Sequence, residues 1–160
     1  MAMYMKLGGA TGDVTEAGHV GQVELLDLSW SMSRTIRSAV GVGQNRESTS
    51  AYVSELTVTK YVDSASSNIA QNAFTGKAQD CNIDFTRVDK GQEAVFRSIK
   101  LSNAILSGLV NHGTGSERPT ETLTLNFTQI DVADTTESSQ GSTSGGPAHV
   151  IYDLTKAQTS

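Results

Sequence analysis

"LLDLSWSM", residues 25–32, alternates: Leu26, Leu28, Trp30 and Met32 take every second position, with Asp27, Ser29 and Ser31 between them. A period of two belongs to a β-strand, whose successive side chains point to opposite faces. The alternation predicts a strand over 22–34, with Leu26, Leu28, Trp30 and Met32 in the core. The other face carries a row of short polar side chains. That row looks either on bulk water, on a partner or on the inside of an assembly, and the alternation alone leaves the choice open.

Working outward, the same period recurs. "MYMKL" (3–7), "YVSELTVTKYV" (52–62), "AQDCNIDFTR" (78–87) and "HVIYDL" (149–154) read as strands separated by Gly, Ser, Asn and Asp. "AVFRSIKLSNAILSGLV" (94–110) is long enough for a strand with a bend, and "VDKGQE" (88–93) before it reads as a hairpin turn around Gly91. In "TETLTLNFTQIDV" (120–132), Leu123, Leu125 and Phe127 share a face while Ile130 and Val132 have the opposite parity. A bulge near Thr128 and Gln129 would return them to the core.

One stretch breaks the pattern. Over 64–76, Ile69, Ala70, Ala73 and Phe74 fall on one face of a helix, Ser64 or Ser66 is placed to cap its start, and Gly76 to stop it. The expected fold is mainly β: a compact barrel or sandwich of about eight strands with one short helix. An extended Gly- and Ser-rich loop spans 35–50, a polar linker or hairpin tip spans 133–148, and the tail beyond the last strand is expected to fray.

At 160 residues the chain reads as a single domain, 1–160. A formal charge of −5 argues against a nucleic-acid binder, which would show a basic stripe. There is no run of 18 apolar residues to span a membrane. The N-terminal stretch lacks a charged segment followed by an apolar one, so no cleaved signal peptide is expected. The single Cys81 alternates with Ile83 and Phe85 and reads as a small core residue.

No catalytic pattern emerges. His19, His112 and His149 lie far apart, in or beside loops, with no second ligand at metal spacing, and read as surface or turn residues. The carboxylates are dispersed and read as solvated strand faces. No G-x-S-x-G elbow is present, and the "GVG" and "GTG" runs introduce no helix that would cradle phosphate. The chain is expected not to be an enzyme and to need no metal or cofactor.

Three blocks together resemble the haemolysin-coregulated protein (Hcp) family of type VI secretion. Residues 4–33 resemble its opening, with Gly12, His19, Ser29 and Trp30 in the family's places. Residues 56–77 look like its strand-to-helix step, with Thr59, Lys60, Tyr61, Asp63, Ser66, Gly76 and Lys77 matching. Residues 118–132 are similar to its late strand, through Pro119, Thr120, Glu121, Leu123, Leu125, Asn126 and Phe127. The chain departs from the family in "GDVTEAGH" (12–19), in Ser67 where proline is usual, and in Ser31 where glycine is frequent.

The resemblance implies a structural subunit of the type VI inner tube. It implies hexameric rings stacked into a tube inside a contractile sheath, tipped by a VgrG-type spike, with small effector proteins carried in the lumen. Such a protein is made in the cytoplasm and secreted by the machine without a cleaved signal. Within that frame Asp27, Ser29 and Ser31 are candidates to line the lumen. Arg37, Val40, Val42, Gln44, Asn45, Arg46 and Glu47 of the extended loop are candidates to contact the next ring. His19, Trp30, Lys60, Tyr61, Asp63, Pro119, Glu121, Asn126 and Phe127 are carried as structural residues of the motif. The alternatives are a phage-type tail tube subunit and a stand-alone β-barrel binding module; the latter would normally place several aromatics on a concave face.

Overall fold

The computed structural model describes residues 1–38, 46–89, 91–135 and 146–160. Along them run β1 (Ala2–Leu7), β2 (Val23–Glu24), β3 (Asp27–Ser29), β4 (Met32–Ser33), β5 (Ile36–Ser38), β6 (Arg46–Ser48), β7 (Tyr52–Val53) and β8 (Leu56–Tyr61). Then follow α1 (Ser66–Thr75), β9 (Gln79–Asp89), β10 (Gln92–His112), β11 (Thr120–Asn126), β12 (Gln129–Asp134), β13 (Ala148–Asp153) and β14 (Gln158–Thr159). The mainly-β class, with one short helix among the described residues, is as expected.

β10 is the hinge of the architecture. Its first half pairs with β9 on one edge and β12 on the other, and its second half pairs with β11. Between the halves the register slips at Leu101/Ala104, and Asn103 sits at φ 50°, which supplies the expected bend. Two sheets therefore share β10: β2–β1–β9–β10–β12–β13–β14 and β10–β11–β8–β3. Their inner faces enclose Met5, Leu7, Leu56, Val58, Ile83, Leu101, Leu123 and Leu125, all at 0 % exposure. Burying each such side chain contributes about 1.5–3 kcal/mol.

The parity change in 120–132 also has its cause here. The chain breaks between β11 and β12, where Thr128 N–H donates to Ser102 O at 3.1 Å, so that Phe127 and Ile130 both reach the core. The step separates two strands instead of bulging one.

The 22–34 stretch differs from its sequence reading. It is not one strand but three short ones. Leu25 N–H donates to Met3 O at 2.9 Å and Leu26 N–H to Thr59 O at 2.8 Å, so the segment ties β1 of one sheet to β8 of the other. At the changeover Leu26 and Asp27 are both exposed, and this one-residue irregularity shifts the parity. Val23 and Leu25 are buried, then Leu28 and Trp30 pack partly against the core. Leu26 (42 % exposed) and Met32 (58 %) are not core residues.

The helix is also corrected in detail. Ile69 and Ala65 are buried and Ala73 packs beside them, but Phe74 is 91 % exposed. Five residues beyond Ile69, Phe74 lies about 140° round the helix, outside a face this narrow. Neither serine caps the start: Asp63 Oδ1 accepts from Ala65 N–H at 2.9 Å, while Ser64 Oγ donates to Thr11 O at 3.0 Å. Gly76 stops the helix at φ 62°, its N–H bonded to Asn72 O.

The tail does not fray, since β14 pairs back on β13 through Tyr152–Thr159 and Asp153–Gln158. Within 35–50, β5 and β6 form an antiparallel ribbon, with Arg37 opposite Glu47 and Ser38 opposite Arg46. Val40, Val42, Gln44 and Asn45 lie outside the described residues. So does most of the 133–148 connection, whose two ends are paired strands with Asp134 opposite Ala148. No described helix is long and apolar enough to cross a membrane.

Candidate functional site

The polar row belongs to a larger surface. Asp27 and Ser29 are exposed on β3 and stand opposite Thr59 and Thr57 of β8. Those threonines stand opposite Thr122 and Thr124 of β11. Thr59 Oγ1 and Thr122 Oγ1 are 3.2 Å apart. Strand parity makes this the outer face of the sheet whose inner face is Leu56, Val58, Leu123 and Leu125. The result is a three-strand field of short hydroxyls with Asp27 at its edge. Ser31 lies past the end of β3, exposed, its N–H donating to Ser54 Oγ at 2.8 Å.

A cleft of about 580 Å³ opens beside this field, lined among others by Tyr52, Glu55, Thr57, Thr124, Asn126 and Tyr152. The sequence reading named Asp27, Ser29 and Ser31 but missed the four threonines. Their signal was present, as Thr alternating with Leu or Val in 56–59 and 122–125, and what was missing was the strand order that joins them. Hydroxyls donate and accept without carrying charge, so this face offers neutral hydrogen-bonding groups.

The motif residues around Lys60 serve the fold. Lys60 shares parity with Leu56 and Val58 and is fully buried, and Glu121, 3 % exposed, sits directly across the ladder. Lys60 Nζ lies 2.5 Å from Glu121 Oε1, 2.9 Å from Asp63 Oδ1, 2.8 Å from Tyr61 O and 3.2 Å from Ser66 Oγ. Ser66 Oγ in turn donates to Glu121 and accepts from Asp63 N–H at 3.0 Å. One ammonium thus fastens the ends of β8 and β11 to the start of α1. The reading of all carboxylates as solvated fails for Glu121 and Asp63, because an acid in core parity opposite a lysine is paired rather than hydrated.

The other motif residues are placed as follows. Tyr61 lies beneath the Arg118 guanidinium at 5.0 Å, and Pro119 O accepts from Val62 N–H at 3.0 Å. Asn126 Nδ2 donates to Glu55 at 3.4 Å, and Phe127 is core.

His19 is corrected outright. It is 7 % exposed, stacked on Tyr4 with ring centroids 4.5 Å apart. The loop 8–22 folds it onto the outer face of β1 and β9. Gly12 enables this: its N–H donates to Gly21 O at 2.8 Å, and a Cβ there would meet Gln22 O at 2.4 Å. His19 Nδ1 is 2.7 Å from Glu16 Oε2, and Nε2 is 3.3 Å from Asp84 Oδ2. Tyr4 Oη donates to Glu93 Oε1 at 3.2 Å, and Thr86 Oγ1 donates to Glu93 Oε2 at 3.0 Å. The hydrogen bond with His19 holds the Glu16 carboxyl below its usual range, while burial and the bond to Glu93 push Tyr4 up to about 12. His112 and His149 are exposed, the latter 3.0 Å from Asp131.

The family model described as type VI secretion system effector, Hcp, matches residues 4–133. The chain belongs to the Hcp family. A curated relative, Protein hcp1 of Pseudomonas aeruginosa, is 27 % identical over 154 residues, covering 95 % of this chain and 94 % of that one. A solved structure described as that of a type six secretion system protein superposes with TM-score 0.89 at 23 % identity, covering 99 % of both chains. Hcp1 from Salmonella typhimurium gives 0.77 at 18 % identity, covering 99 % of this chain and 98 % of that one. At those identities the two structures show the Hcp fold. The Hcp family is one of secreted tube proteins of type VI machines, and the mainly-β chain described above carries its fold.

Proposed function

We propose that this Hcp chain is a subunit of the type VI inner tube. Six copies close into a ring, and the rings stack, are driven outward by a contractile sheath behind a VgrG-type spike, and carry small effectors. The subunit is made and assembled in the cytoplasm and leaves through the machine. The observation that supports this beyond family membership is the hydroxyl field. A wall that cargo must both touch and leave should be polar, short and nearly uncharged, and Ser29, Thr57, Thr59, Thr122 and Thr124 have those properties. In this reading the field faces the lumen and the β5–β6 ribbon, with Arg37 and exposed Ile36, meets the next ring.

Negative-stain microscopy of the purified protein should show six-fold rings with a central hole; monomers would sink the ring. In a secreting strain, Ser29→Gln with Thr124→Gln should leave rings and sheath firing intact while lowering effector stability and export. Unchanged export with intact rings would remove the field from the lumen. Deleting residues 38–48 should leave rings but abolish stacked tubes, and normal tubes would refute the ribbon's role.

A further inference from the structure

The centre around His19 stands apart from the tube reading and gathers three carboxylates about one buried imidazole. Both ring nitrogens face carboxylate oxygens, Glu16 at 2.7 Å and Asp84 at 3.3 Å. A carboxylate only accepts, and a neutral imidazole carries one proton. In the neutral form one nitrogen would turn a lone pair on an acceptor; a second proton or a metal ion on that nitrogen removes the conflict. A third carboxylate is at hand, since one ligand atom from each of Glu16, His19 and Glu93 lies within 4.8 Å of the others.

We propose that this centre binds a divalent transition-metal cation of the zinc class. Glu16 and Glu93 each give one oxygen and His19 gives Nδ1. Asp84 holds Nε2–H and fixes the ring, the carboxylate–histidine–metal arrangement that orients ligands in metal sites. Tyr4 and Thr86 hold Glu93, and Gly18 N–H donates to Glu16 Oε2 at 2.9 Å, so each ligand has its own support. Tetrahedral zinc at 2.0–2.2 Å from each ligand sets ligand atoms roughly 3.3 Å apart. Zinc binding therefore requires the Glu16–His19 contact to open from 2.7 Å and the Glu93 carboxylate, now within 4.8 Å, to close. Imidazole favours zinc and its neighbours over magnesium or calcium. Entry is open, because the Glu16 and Asp84 side chains are each 27 % exposed.

The test uses untagged full-length protein, stripped with a chelator and titrated with zinc chloride at pH 7.5 against a chromophoric competitor. One zinc per chain is expected, with a melting temperature that rises with zinc concentration. His19→Gln and Glu93→Gln should each weaken binding on the order of tenfold or more, and Asp84→Asn by about 10–100-fold. X-ray absorption at the zinc edge should show a nitrogen/oxygen shell containing one imidazole. Absence of stoichiometric zinc overturns the proposal, and so does unchanged affinity in the His19 and Glu93 variants. Should His19→Gln fail to fold, nitrogen-15 NMR of the intact protein decides. Both His19 nitrogens protonated at pH 7.5 with zinc present would mean that a proton, not a metal, fills the centre.

Discussion

The buried Lys60 cluster makes a sharp energetic prediction. Lys60→Met keeps the stem's bulk and removes the ammonium. It leaves Glu121, 3 % exposed, with the Ser66 hydroxyl as its one remaining side-chain donor among the described residues, and strips Asp63 of its cation. Breaking one partner of a buried pair costs about 3–5 kcal/mol. For a chain of this size that lowers the melting temperature by roughly 10–15 °C. The exposed pair Arg97–Asp134, with side chains 47 % and 44 % exposed and Nε–Oδ1 at 2.6 Å, is the internal control. Its loss should cost about 0.2–1 kcal/mol despite the short contact, because water screens both charges. Lys60→Met with Glu121→Leu should cost clearly less than the two single changes summed, since no carboxylate then remains opposite the missing ammonium. Urea unfolding followed through the single Trp30, at fixed protein concentration, reads all of these. A Lys60→Met cost no larger than that of Arg97→Met, or strict additivity in the double variant, would refute the account of a desolvated, coupled cluster.

Other outcomes follow from single sites. Burial pushes the Cys81 thiol up to about 12, so the folded protein should resist a thiol reagent at pH 8 and react only as it unfolds. Gly76→Ala should cost about 1 kcal/mol by urea unfolding, wholly from the left-handed φ of 62°, since nothing among the described residues lies within 4 Å of the new Cβ. Hydrogen bonds from Arg97 hold the Asp134 carboxyl below its usual value of 3.8, and those from Thr155 do the same for Asp153. Folded values below unfolded ones mean that this stabilisation is present above about pH 4 and lost as pH falls through the lowered range. A stability profile between pH 7 and 2 should show that loss reduced in Asp134→Asn.

Much of this was legible in the residues. Thr57 and Thr59 alternate with Leu56 and Val58, so strand β8 and its two faces could be read from six letters. Gly76 announced the helix stop, and the parity change after Phe127 announced the step into β12. Where the reading failed, a partner distant in sequence had intervened. Leu26 looked like core because the alternation ran on through it, yet pairing first with β1 and then with β8 shifts the parity at that point. Phe74 looked like core because it was placed on one helical face with Ile69, Ala70 and Ala73, but the stripe that packs inward runs from Ala65, just before α1, through Ile69 to the part-buried Ala73.

The functional surfaces divide in the same way. The sequence by itself determined the mainly-β class, the single helix, the family blocks and one polar strand row, since all of these are written in local period or contiguous motif. Tertiary structure alone decided that this row continues through Thr57, Thr59, Thr122 and Thr124. It alone set Lys60 against Glu121 and brought Asp84 and Glu93 to the His19 loop. Antiparallel pairing and loop closure set which residues meet, through hydrogen bonds and burial between segments tens of residues apart. No window along the chain contains both halves of such a contact.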